Sequence, residues 1–91
     1  MKSTPELNKL AERYVWWESV EWSYRHPTIF LAQVMNLACW ADLQILFKTI
    51  EKKELQNVLQ EAPSGIFSYR AWDYWHLKLG LSSRDLPTRP L

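Results

Sequence analysis

Glycine is almost missing from this 91-residue chain: it occurs twice, at Gly65 and Gly80. A phosphate-cradling loop needs several glycines close together, so that kind of nucleotide site is excluded. Cysteine is scarcer still. A lone Cys39 rules out an intrachain disulfide and fits a reducing compartment. No charge sign dominates: Lys+Arg 11 against Asp+Glu 10 leaves a net charge of +1. Acids and bases are scattered, so there is no bulk field to gather nucleic acid or a membrane surface. Long apolar runs are missing as well. The greasiest stretch, Ile29 to Ala41, is interrupted by Gln33 and Asn36 and is too short for a bilayer core of roughly 30 Å. The opening "MKSTPELNKLAER" has no apolar centre of the kind a signal peptide carries. Together these features predict a cytoplasmic protein with no membrane partner.

What is present is hydrophobic residues at 47% and six tryptophans. That composition suits a globular domain rather than a disordered chain. The apolar residues recur with helical spacing. Thr4 can cap a first helix, with Pro5 at its first position and Glu6 in its first turn. Leu7, Leu10, Ala11 and Tyr14 then make one stripe. The helix weakens in "YVWWES", where bulky and β-branched residues cluster, and "VEWSYRH" is ambiguous. His26-Pro27 marks the next start, followed by Ile29, Phe30, Val34, Met35 and Leu37. "NLAC" breaks that face. Cys39 then stands at a cap position with Asp42 three residues on, an imperfect capping box. Leu43, Leu46, Phe47 and Ile50 form a third stripe, and Leu55, Val58 and Leu59 a fourth. Near "IEKKE" neither glycine nor proline separates the two, yet a break is the preferred reading over one bent helix. "APSG" is a turn. Ser68 can cap a last helix and Gly80 can end it. The expectation is an all-α fold: a compact bundle of four to five short helices over residues 1–81, with a flexible, extended tail over 82–91.

Catalytic chemistry finds little support. Metal ligands would need recognisable spacing, and His26, Cys39 and His76 lie far apart. Asp73 and His76, three apart, read as a helix-surface pair. Cys39 reads as a small buried residue in a greasy segment rather than a nucleophile. The expectation is no enzyme activity and no cofactor. A DNA-binding reading has more to offer. The third and fourth stripes could be a helix-turn-helix with Lys48, Lys52 and Lys53 near the turn and Gln56, Asn57 and Gln60 to offer to a groove. Glu51, Glu54 and Glu61 sit among them, so DNA binding by the isolated chain should be weak.

The aromatic residues carry the remaining signal. Most should fill the core, with Trp40 over an inter-helix groove. Six indoles are nevertheless hard to bury in so small a domain. The last helix sharpens the point. At about 100° per residue, Trp72, Trp75 and Leu79 fall within about 60° and form a core face. Tyr74, Leu77 and Leu81 form a second sector, with Arg70 and Lys78 at its edges. A polar-tipped aromatic flanked by bases suits a surface that is wet when free and dry when bound. Leu86, Pro87, Pro90 and Leu91 of the tail could order in a partner's groove. Candidate partner-binding residues are therefore Arg70, Tyr74, Leu77, Lys78, Leu81, Leu86 and Pro87.

The segments "RYVWW", "HP", "AQVMNL", "WADLQ" and "APSGIFSYRAWDYWHLKLGL" together resemble a group of small bacterial antitoxin-like proteins. These are encoded beside AbiEii/AbiGii-type nucleotidyltransferase toxins. The resemblance runs from about Arg13 to Leu81 and is most specific at Trp72, Tyr74, Trp75, His76, Leu79, Gly80 and Leu81. It implies a cytoplasmic antitoxin that binds and neutralises a nucleotidyltransferase-like toxin, and it transfers no catalytic residue. The chain departs from the group in having Cys39 at a cap and no glycine between the third and fourth stripes. The alternative function is a helix-turn-helix transcriptional regulator, and a homo-oligomer joined through the aromatics is a third reading.

Overall fold

Six helices form among the described residues of a computed structural model, which are 3–62, 64–82 and 86. Thr4 starts the first, α1 (Pro5–Tyr14): its Oγ1 accepts the Leu7 N–H at 3.1 Å. Glu6 in the first turn and Arg13 in the last complement the helix dipole. Leu7, Leu10 and Ala11 are buried from its inner face. It stops at Val15, where "WWES" begins, as the sequence implied.

The ambiguous "VEWSYR" is a helix, α2 (Val20–Arg25), and it takes the count beyond the four or five expected. Ser19 supplies the start, its hydroxyl accepting the Trp22 N–H at 3.1 Å. His26 ends it ahead of Pro27. The His26 Nδ1–H donates to the Trp22 carbonyl at 2.9 Å and its ring stacks on the indole with centroids 4.1 Å apart.

Pro27 opens α3 (Pro27–Leu37), the hub of the bundle. Phe30, Leu31, Ala32, Val34 and Met35 are all buried, because α3 packs against α1, α2, α5 and α6. A helix touched on so many sides needs an apolar surface nearly all round. α4 (Trp40–Thr49) lies against α1, and α5 (Lys52–Gln60) against α3. The preferred break between them is present. Ile50 adopts extended backbone (φ −119°, ψ 131°) and drops its side chain into the core at 5% exposure. The Thr49 hydroxyl donates back to the Ile45 carbonyl at 2.8 Å.

α6 (Tyr69–Leu79) packs on α3 and α5. Ser68 caps it, accepting from Ala71 N–H at 3.2 Å. Gly80 ends it in the left-handed region at φ 69°. The Gly80 N–H reaches the Leu77 carbonyl and the Leu81 N–H reaches the His76 carbonyl, the paired bonds of a Schellman stop. Gln56 of α5 adds a third tie, its Nε2 donating to the Leu79 carbonyl at 2.8 Å.

Three local expectations are corrected. Cys39 holds the cap position of α4 but makes no capping bond, and it is exposed rather than buried. Its presumed capping partner Asp42 is drawn away to α1, where better donors wait. His76 is not a surface partner of Asp73. It is 2% exposed, and its Nδ1–H donates to the Trp72 carbonyl one turn back at 2.7 Å. Of the expected tail, Ser82 is exposed while Leu86 is half-buried against the core. Pro87 and the residues after it lie outside the described residues.

Candidate protein-docking groove

Trp72 and Trp75 fill the core side of α6, at 2% and 1% exposure, with Leu79 beside them. Trp75 is anchored further: its Nε1–H donates to the Met35 carbonyl at 2.8 Å, tying α6 to α3. The core face read from the angular spacing is therefore correct. His76 joins it, a residue the angular argument left out because imidazole was treated as polar.

The opposite side of α6 is uncovered. Tyr74 is 41% exposed and Leu77 85%. Tyr74 stands at the mouth of a groove of about 350 Å³ that runs between α6 and the α3–α4 junction. Met35, Leu43, Ala71 and Trp75 form its floor. Trp40, 64% exposed, also lines the groove rather than covering it, with its ring edge-on to Phe47. Leu37, also exposed, precedes Trp40 across the α3–α4 join. The polar groups of the groove are Asn36, Ser68 and Arg70. Asn36 Oδ1 accepts the Ser68 N–H at 2.9 Å, and this bond holds the start of α6 beside the end of α3.

The candidate residues do not all come together. Arg70 and Tyr74 line the groove, and Leu77 is bare one turn further along the same side of α6. Lys78 does not line the groove: it borders a separate cleft with Phe47, Ile50 and Leu55 further along α6, its Nζ 5.2 Å from the Phe47 ring centroid. Leu81 does not belong to this face. It is half-buried and packs on the core, because the left-handed Gly80 reverses the chain and ends the helical phase on which its placement was extrapolated. Leu86 is likewise turned to the core. Trp40, which lines the groove, was missed as a binding residue. Its signal in the sequence was its place just after a helix break, where a large side chain at the first position of α4 has no preceding turn to pack on.

A second bare aromatic pair, Trp16 and Trp17, sits at the α1–α2 turn in an edge-on contact at 5.6 Å. Of the residues offered for reading DNA, Gln56 donates its Nε2 to the Leu79 carbonyl. Among the described residues no three His, Cys, Asp or Glu side chains converge as metal ligands, and no helix is long and apolar enough to cross a membrane.

No family model, curated protein or solved structure matches this chain.

Proposed function

We propose that this chain is a protein-binding module, and that its role is that of an antitoxin that binds and neutralises a nucleotidyltransferase-like toxin. One observation carries the binding half of the reading. Trp40 and Tyr74 both line one apolar groove while remaining exposed, and Leu77 continues the exposed face. Large aromatics that stay exposed beside an apolar pocket are the usual anchors of protein interfaces. The antitoxin half rests on the resemblance described above. Neutralisation by such a module needs no chemistry of its own. It needs only a bound state in which the toxin's active site is blocked or distorted.

Co-expression with a toxin of the nucleotidyltransferase-like class tests both halves. The chain should co-purify with that enzyme and relieve its growth arrest, and Tyr74→Ala with Leu77→Ala should lose both effects while keeping the fold. An intact chain that neither binds nor protects would refute the antitoxin role. Tight, sequence-specific duplex binding at physiological salt would instead promote the regulator reading, with affinity falling steeply as salt rises.

A further inference from the structure

We infer that the groove between α6 and the α3–α4 junction takes an acidic amphipathic helix of a protein partner. The inference rests on the protein-binding reading above and adds the partner's chemistry. It follows from what the groove contains and what it lacks.

The floor is apolar, and every polar side chain available around it can donate. Asn36 uses its oxygen on the Ser68 N–H, which leaves its amide N–H₂ to donate outward. The Ser68 oxygen accepts from Ala71, leaving the hydroxyl proton. Arg70 is cationic, and among the described residues no carboxylate pairs with it. No acidic side chain lines the groove. Asp42 of the neighbouring α4 is already held by Arg13 and Tyr14. Asp73 of α6 is three residues and about 60° around the helix from Arg70, but it neither lines the groove nor forms an ion pair with Arg70.

The charges also have a spacing. Arg70, Tyr74 and Lys78 are four residues apart and form a row along α6. The two cations are therefore about 12 Å apart along the helix axis at 1.5 Å per residue, with an aromatic between them. A partner helix matches that row when two carboxylates two turns apart bracket a large apolar side chain. The apolar residue enters the groove beside Trp40 and Tyr74, and the acids meet Arg70 and Lys78. Helix-in-groove binding of this type is read through anchors on one face. A second copy of this chain is a poorer fit. A two-fold pairing through this face sets the cationic row of one copy against that of the other, and like charges so placed repel.

Two synthetic helical peptides test the inference. They share the same leucine and tryptophan anchors and differ only in bracketing residues, glutamate in one and lysine in the other. Each is titrated into isotope-labelled protein and followed by amide chemical shifts. The glutamate peptide should move the signals of Leu43, Arg70, Ala71 and Tyr74, and the lysine peptide should bind at least about tenfold more weakly. Arg70→Glu and Lys78→Glu, both at exposed positions, should reverse that preference while leaving the thermal melt in place. Equal binding of the two peptides, indifference to both charge reversals, or shifts centred on Trp16 and Trp17 would each overturn the inference. Its fate is separable from that of the antitoxin role. Charge-selective peptide binding in the groove without toxin binding keeps this inference and removes the role. Toxin binding that ignores Arg70→Glu and Lys78→Glu keeps the role and removes this inference.

Discussion

Tyr14 and Asp42, 28 residues apart in the chain, meet across two helices: the phenol of Tyr14 donates to Asp42 Oδ2 at 2.5 Å. Arg13 Nη1 donates to the same oxygen at 2.6 Å. Asp42 is buried, at 5% exposure, so the two bonds stand in for water its carboxylate has lost. The cluster ties the last turn of α1 to the first turn of α4. It thereby fixes the helix that carries Trp40.

A pH dependence follows from it. The Tyr14 bond, helped by Arg13, holds the Asp42 carboxyl below its ordinary value of 3.8 against the opposing effect of burial. The unfolded chain binds this proton more readily than the folded one. The stabilisation is therefore present above the ordinary carboxylate value and is lost as pH falls through the lower folded value. Burial, then the bond to Asp42, pushes the Tyr14 hydroxyl above 10.0. Its contribution is present below that value and is lost as pH rises through the higher folded one. Urea unfolding across pH should show both flanks, and Asp42→Asn should flatten the acid one. An unchanged acid slope in Asp42→Asn would place the acid sensitivity elsewhere.

Trp75→Ala should cost roughly 3–5 kcal/mol, since it removes a fully buried indole and leaves a cavity. It also strands the Met35 carbonyl that the indole N–H satisfies. Leu77→Ala, at a position 85% exposed, should change stability by less than about 0.5 kcal/mol while weakening partner binding. Tyr74→Ala should cost under about 1 kcal/mol. Denaturant midpoints of the three variants check the ordering. A Tyr74→Ala loss as large as that of Trp75→Ala would make Tyr74 part of the fold rather than of a docking face.

Gly80→Ala should destabilise by about 1 kcal/mol, as expected for a side chain forced into the left-handed region. The cost is conformational, because a Cβ there meets nothing within 4 Å. Gly80→Asn should cost less than Gly80→Ala, since asparagine tolerates that backbone better. Equal thermal shifts for the two would show that something other than backbone conformation governs the position.

Ser23 is fully buried in α2, and its Oγ has no hydrogen-bond partner among the described residues. An unpaired buried hydroxyl is a net cost. Ser23→Ala should therefore be neutral or stabilising, by up to about 1 kcal/mol, in calorimetric melts. A clear loss of stability would mean that the hydroxyl has a partner, for which a bound water is the natural choice.

The helical content was legible in the sequence because its signals are local. Thr4, Ser68 and Gly80 cap and stop through bonds to residues within five positions. The stripes Leu7–Leu10–Ala11 and Leu55–Val58–Leu59 repeat at the period of one helix and are buried as expected. A break between the third and fourth stripes was the preferred reading, although Ile50 was counted with the helix that it ends. What the stripes alone did not show was how each residue is used by its surroundings, near or distant. Asp42 left its own helix start because Tyr14 and Arg13 offered stronger donors. His76 is buried on the side of α6 that packs on the bundle, where its Nδ1–H is satisfied by the Trp72 carbonyl. Leu81 turned inward because one left-handed glycine ended the phase.

The binding face shows the same division. The sequence by itself determined that α6 has two apolar sides, since angular spacing depends only on residue order. Which side is covered was decided by tertiary packing. α3 and α5 close over Trp72 and Trp75, and no described element closes over Tyr74 and Leu77. Burial is a property of what lies opposite a side chain, and six tryptophans of identical chemistry divide accordingly. Trp72 and Trp75 have helices over them, Trp22 is partly covered beside His26, and Trp16, Trp17 and Trp40 stand open at the helix joins.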